Sequence, residues 1–91
     1  MARQDDSAWR QSLYDAIGRN VQKVRNEQKL TVKEVGFKLG ISYQAVTRVE
    51  EGLNAPVHFL VAFAQLAHCS ISDLIPEHPT TFKRKIETDD G

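Results

Sequence analysis

The chain has 91 residues, with 12 basic and 12 acidic residues and 41% hydrophobic residues, which suits one small domain. Its single cysteine, Cys69, excludes an internal disulfide and lies in an apolar run typical of a buried, unreactive thiol. His58, His68 and His78 are ten residues apart, a spacing that matches no compact zinc pattern. We therefore expect no metal and no cofactor.

The N-terminal part of the chain predicts a long amphipathic helix. Residues 1–8 are mostly polar and are predicted to be a flexible N-terminus. A helical pattern begins at Asp6 or Ser7. Gly18 is a candidate interruption of this helix, and Ser12 is a second candidate for its start. Apolar residues recur on one helix face at spacings of three and four, namely Trp9, Leu13, Ile17, Val21 and Val24.

Two short helices follow, each with its own start and stop signals. Thr31 and Glu34 form a capping box that predicts a helix with an apolar face of Val32, Val35 and Leu39. Gly40 is expected to end that helix in a left-handed conformation. Ser42 is the expected N-cap of a second helix from Tyr43 to about Glu51, which turns Val46 and Val49 inward and stops at Gly52.

The remainder of the chain predicts one more long helix, a short capped helix and a tail. The helix covers Val57 to His68, and SISDLI predicts the short helix before Pro76. Residues 78–91 form a polar tail, either disordered or with a strand at TFKRKIET. We therefore expect an all-α bundle of four or five short helices, with the domain at residues 9–77.

The helix at residues 57–68 has two apolar stripes. We expect one stripe to face the core, namely Val57, Leu60, Val61, Ala64 and Ala67. The other stripe consists of Phe59, Phe63 and Leu66, and a helix that is apolar all round is buried on all sides. We expect this second stripe to form a homodimer interface. The alternative is that the extension around Trp9 and Leu13 covers it.

The middle of the chain has the sequence features of two short helices joined by a tight turn. Gly36 lies where two steeply crossing helices approach, and Gly40 lies in the turn between them. With Arg25, LTVKEVGFKLGIS and VTRVEEG, residues from Ile17 to about Ile75 resemble the phage-repressor and Cro-like helix-turn-helix family, also called XRE. The resemblance implies a lambda-repressor-like fold with the motif at residues 31–52. It also implies that the second helix of the motif enters the major groove.

The resemblance assigns roles to individual residues. The implied base readers are Tyr43, Gln44, Thr47 and Arg48, although a solvated polar helix face would have the same pattern. Glutamine can bond adenine and arginine can bond guanine at two atoms each. Thr47 could meet a thymine methyl group or a phosphate, and Tyr43 could stack or bond a phosphate.

Further residues are expected to contact phosphates or to support the motif. Candidate phosphate contacts are Lys33, Lys38 and Ser42, with a second candidate region at Lys83 to Lys85 in the tail. The resemblance implies an ion pair between Arg25 and Glu50. Residues 19–52 carry seven basic and four acidic residues, so the local charge is positive although the chain is neutral overall.

Several positions depart from the family pattern. Valine at Val32 replaces a glutamine that meets phosphate and braces the reading helix. Phe37 points towards solvent, and we expect it to pack on the extension around Trp9, with a partner site as the alternative. Glu51 lies on the side of Thr47, where its charge would oppose a phosphate.

These features predict a DNA-binding transcriptional regulator of bacterial or mobile-element type. We expect a repressor that binds a palindromic operator in double-stranded DNA as a homodimer. The alternative is a protein-interaction module, such as an antitoxin or anti-activator, and a regulatory protein partner fits either hypothesis. No constellation of catalytic residues is present, so we do not expect an enzyme. No apolar run approaches the roughly 18 residues of a membrane span, and MARQDDSAWR lacks the apolar region of a signal peptide. We therefore expect a cytoplasmic protein, associated with the nucleoid through DNA and with no membrane partner.

Overall fold

A computed structural model describes the backbone of residues 2–76 and the side chains of residues 8–76. Four α-helices follow one another, with bounds α1 Ala2–Glu27, α2 Val32–Leu39, α3 Tyr43–Glu50 and α4 Val57–Ala67. A 3-10 helix, Ile71–Asp73, completes the described chain, and no strand occurs within residues 2–76. The predicted all-α helix-turn-helix fold is confirmed. The tail at 78–91, with Lys83 to Lys85, lies outside the described residues.

The first helix is continuous over 26 residues and begins earlier than predicted. It starts at Ala2, ahead of the expected start at Asp6 or Ser7, and it runs through Gly18 without interruption. The flexibility predicted for residues 1–8 stays a prediction. The interruption predicted at Gly18 is wrong, because this glycine lies in the packed part of the helix and is itself buried.

Local capping signals set the ends of α2 and α3. The Thr31 hydroxyl accepts a hydrogen bond from the Glu34 amide at 3.0 Å, and the Glu34 carboxylate accepts one from the Thr31 amide at 2.7 Å. Gly40 then ends α2 with φ 71°, a conformation that costs glycine little because it has no Cβ. Ser42 caps α3 through the amide of Ala45 at 3.3 Å. The predicted capping box, stop and N-cap are thus present.

The core takes apolar side chains from every helix. Val21, Val35, Val46 and Phe63 have no exposed surface, and Leu74, just after the 3-10 helix, is equally buried. Complete burial of one such side chain stabilises the fold by about 1.5–3 kcal/mol. The helices α1, α2 and α4 all contribute to this cluster. The inner face of α3 packs against them, and its outer face is left to solvent.

The dimer interface predicted on α4 is wrong. Phe59 and Phe63 are 4% and 0% exposed, and their stacked rings lie 5.7 Å apart between centroids. Leu66 is half-buried and packs against the same cluster. Val57 and Val61, predicted to face inward, are 74% and 42% exposed. The buried face of α4 lies along the border between the two predicted stripes and takes residues from both of them. These phenylalanines are therefore core residues of a single chain.

Phe37 also differs from its prediction. Its side chain is 87% exposed, so the expected packing on the extension around Trp9 is wrong. The reason is its position on the outer side of α2, whose inner side is occupied by Val35 and Gly36. The alternative of a partner site stays open.

Candidate nucleic-acid interface

An ion pair ties the end of α3 to α1. Arg25 donates to both carboxylate oxygens of Glu50, from Nε at 2.6 Å and from Nη2 at 3.1 Å. Its Nη1 donates to the carbonyl oxygen of Leu30 at 2.8 Å. The two side chains are only 12% and 8% exposed, and bidentate geometry of this kind fixes orientation as well as distance. The Glu50 carboxylate is therefore turned away from the outer face of α3.

Two glycines let neighbouring helices approach α3 at backbone distance. A Cβ at Gly18 would lie 2.6 Å from the carbonyl oxygens of Val49 and Glu50. A Cβ at Gly36 would lie 2.9 Å from the carbonyl oxygen of Ile41 and 3.2 Å from the amide nitrogen of Tyr43. These approaches fix the two ends of α3 against α1 and α2. Sequence reasoning missed the role of Gly18, although its place beside Ile17 on the apolar face of α1 is a signal of close packing.

The outer surface of α3 carries the residues predicted to read bases. We call Tyr43, Gln44, Thr47 and Arg48 the reading face. Gln44 and Arg48 are exposed, Tyr43 is 43% exposed and Thr47 is half-buried. The four residues line one open groove together with Glu51 and Leu53. The structure therefore brings the predicted residues together on one surface and leaves Val46 and Val49 beneath it.

The predicted phosphate contacts lie around the start of α2 and the turn. Lys33 and Lys38 are exposed on α2, and Ser42 is exposed at the N-cap of α3. The Lys33 ammonium lies over the Tyr43 ring, 5.5 Å from its centroid, so this lysine touches the reading face directly. Val32 is half-buried and packs against the core. Its apolar side chain offers no hydrogen bond to the outer surface.

The far end of the groove contains one acidic and one apolar residue. Glu51 is the exposed C-cap of α3, and its carboxylate borders the groove beside Thr47 and Arg48. Leu53 is 65% exposed and was not predicted to belong to this surface. Gly52, with φ 80°, ends the helix, and its carbonyl oxygen accepts a hydrogen bond from Gln11 of α1 at 3.2 Å. The chain direction after α3 is thereby fixed.

Arg48 also borders a second, more apolar depression between α3 and α4. Its volume is about 150 Å³, and its walls include Leu39, Ile41, Pro56 and Phe59. Asn54 and Arg48 give it a polar rim. The depression separates the reading face from α4.

Comparison with known proteins identifies the family. A helix-turn-helix family model, HTH_3, matches residues 21–74, more than half of the chain. The chain belongs to the XRE/Cro-like helix-turn-helix family. Membership of this family supports the prediction that the chain is a DNA-binding transcriptional regulator and not an enzyme.

A solved structure shares the helix-turn-helix fold. The clp gene regulator ClgR from Corynebacterium glutamicum superposes with a TM-score of 0.67 at 18% identity, over 86% of this chain and 84% of that chain. At this identity the likeness concerns the fold. Among curated proteins, none matches the chain.

Across residues 2–76, no group of three or more histidine, cysteine or acidic residues could hold a metal ion. None of the helices in that range is long and apolar enough to cross a membrane. Cys69 is a half-buried free thiol, and burial, with the charge of Asp73 as a smaller cause, raises its pKa. A raised pKa lowers the fraction of reactive thiolate.

Proposed function

We propose that this protein is a sequence-specific transcriptional regulator that inserts α3 into the major groove of DNA. The observation that carries the proposal is the division of α3 into two faces. The four residues of the reading face share one open groove, whereas the Glu50 carboxylate is paired with Arg25 of α1 and its side chain is only 8% exposed. A helix whose acidic residue is neutralised internally can approach phosphates without the repulsion that its composition suggests.

Within the reading face, Gln44 and Arg48 are the proposed sources of base preference. Both side chains are exposed and one helical turn apart. Each can make a two-atom contact to a purine, which discriminates against the wrong base by about 1–3 kcal/mol. Thr47 is proposed to contact a thymine methyl group or a phosphate. Tyr43, at the first position of α3, is proposed to meet the backbone or the edge of the site.

Affinity that does not depend on sequence is proposed to come from Lys33, Lys38 and Ser42. The two lysines are exposed on α2, beside the turn into α3. The Ser42 hydroxyl oxygen accepts the Ala45 amide, and its own proton remains available to donate to a phosphate. Neutralising phosphates releases counterions, so each such contact makes binding more sensitive to salt.

We further propose that the protein binds a palindromic operator as a homodimer and acts as a repressor. A reading helix of eight residues spans only a short half-site, and two copies placed about 34 Å apart read two half-sites. The dimer would use a surface other than Phe59, Phe63 and Leu66, which belong to the core. Repression is the favoured sign of regulation because it requires only that the bound protein block a promoter.

Selection of binding sites from random duplex DNA tests the proposal. We expect the purified protein to enrich a palindrome with two equal half-sites. In this assay Arg48→Ala should relax the preference at one base pair, whereas Lys38→Ala should weaken binding to all sequences and lower the salt slope by about one. Lys23→Ala, at an exposed lysine of α1 outside the motif, is the matched control and should keep the base preference. Failure to bind any duplex at 50 mM salt contradicts the proposal.

A second candidate function is that of a protein-interaction module. The observation that favours it is the 87% exposure of Phe37 on α2, which leaves a large aromatic side chain available to a partner surface. Phe37→Ser separates the two functions. It should leave DNA binding unchanged if the protein is a regulator of the proposed kind, and it should abolish a partner complex if α2 is the docking surface.

A further inference from the structure

The contact between Lys33 and Tyr43 joins α2 to the first residue of α3. The Lys33 ammonium lies 5.5 Å from the centroid of the Tyr43 ring, within the distance of about 6 Å over which a cation is attracted to an aromatic face. Lys33 is the second residue of α2 and Tyr43 the first of α3. This contact therefore reaches across the turn, outside the core.

The backbone of Tyr43 is already fixed by other contacts, but its side chain is not. Ser42 caps the helix at this point. The close packing at Gly36, where a Cβ would lie 3.2 Å from the Tyr43 amide nitrogen, holds the main chain against α2. The ring, however, is 43% exposed. An exposed aromatic side chain samples more than one rotamer on a nanosecond scale unless something selects one. The orientation of the Tyr43 ring is therefore the one degree of freedom that these contacts leave open at this end of the reading face.

The other side chains near the Tyr43 ring already make contacts with different partners. Val32 is apolar and packs against the core. The Ser42 hydroxyl oxygen accepts a hydrogen bond from the Ala45 amide. The Glu34 carboxylate accepts the Thr31 amide. Lys33, by contrast, has its charge over the ring.

We propose that Lys33 is a positioning residue that holds the Tyr43 ring in the orientation in which it meets DNA. The inference rests on the proposed function and deepens it, because it assigns to Lys33 a role that acts through Tyr43. A cation–aromatic contact at an exposed site corresponds to roughly a two- to fivefold effect on an equilibrium. We therefore expect loss of the contact to weaken operator binding by roughly two- to fivefold.

A simple phosphate contact by Lys33 makes a different prediction. Such a contact would contribute equally whatever residue stands at position 43, and its removal would lower the salt slope by about one. A positioning role depends on the ring. The dependence of the Lys33 effect on Tyr43 is therefore the quantity that separates the two roles.

A double-mutant cycle on the selected operator measures this dependence. Lys33→Met keeps the length of the side chain and removes its charge, and Tyr43→Leu removes the ring. We expect Lys33→Met to weaken binding in the wild-type background by roughly two- to fivefold more than in the Tyr43→Leu background, where only its phosphate contact is lost. Two conservative variants should restore or keep the coupling, since Lys33→Arg retains a cation and Tyr43→Phe retains the ring. Equal losses in both backgrounds overturn the proposal.

NMR of the free protein provides a test that needs no DNA. A ring over the Lys33 side chain should shift its ε-methylene protons upfield, and the shift should persist in Tyr43→Phe and vanish in Tyr43→Leu. Absence of this shift in the wild type overturns the positioning role even if the protein binds DNA. If the shift is present but the protein binds no duplex, the proposed function fails, and the positioning role on DNA fails with it.

Discussion

Replacing Gly18 by alanine tests whether α1 approaches the end of α3 as closely as the structure indicates. A Cβ at this position would lie 2.6 Å from two backbone oxygens, those of Val49 and Glu50, whereas ordinary contact begins at 3.4 Å. The two helices would have to separate locally by about 0.8 Å. Backbone atoms cannot turn aside as the end of a flexible side chain can, so the strain has no inexpensive release.

The expected loss of stability is the difference between two effects. Alanine favours the helix over glycine by roughly 0.5–1 kcal/mol, but overpacking typically costs about 1–3 kcal/mol. With backbone on both sides, we expect Gly18→Ala to lower the free energy of unfolding by about 1–2 kcal/mol. For a domain of this size that corresponds to a fall of roughly 5–15 °C in Tm.

Thermal unfolding followed by circular dichroism at 222 nm measures the effect. Ser12→Ala is the matched control, because Ser12 is exposed on the same helix and its replacement changes helix propensity without adding a contact. We expect that variant to melt at the wild-type temperature or slightly above it. If Gly18→Ala melts as high as the wild type, the inferred close approach of the two helices is refuted.

Three further predictions concern charge and reactivity. Glu51→Gln should tighten DNA binding by roughly two- to fivefold at low salt in a fluorescence-anisotropy titration, with the gain shrinking as salt screens the repulsion; no gain at any salt would show that Glu51 lies away from phosphates. Glu50→Gln should lower the free energy of unfolding in urea by about 1–3 kcal/mol, because it removes the charge that pairs with the half-buried Arg25, and an unchanged midpoint would contradict this. Because burial raises the pKa of Cys69, the folded protein has less thiolate than a free thiol at pH 8 and should react more slowly with iodoacetamide. The rate should increase as pH rises towards the raised pKa. Equal rates in the folded and the urea-unfolded chain would disprove the shift.

The helix ends of the motif could be predicted from the sequence because their causes are local. A capping box depends on two residues three positions apart, and Thr31 and Glu34 make both of its hydrogen bonds. The stop at Gly40 depends on one residue that adopts a positive φ. The Arg25–Glu50 pair joins distant parts of the chain, and it came from the family resemblance rather than from spacing.

The orientation of α4 could not be predicted in the same way. Periodicity reveals which residues share a stripe, but two adjoining apolar stripes leave the rotation of the helix undetermined. The packed neighbours decide it, and they enclose Phe59 and Phe63 while leaving Val57 in solvent. Gly18 was misinterpreted for a related reason: its place on the apolar face of α1 indicates close packing, but the sequence does not identify its partner, which is backbone from α3.

The separation of α3 into an inner and an outer face also has a consequence for how such a regulator changes over time. None of the four residues of the reading face is buried, whereas Val46 and Val49 are. On the proposed function, substitutions that change the operator preference can therefore accumulate on one side of a single short helix without eroding the fold. For engineering, the four positions of the reading face can be exchanged as a set together with Lys33, whose ammonium lies over the Tyr43 ring, while the rest of the scaffold is kept.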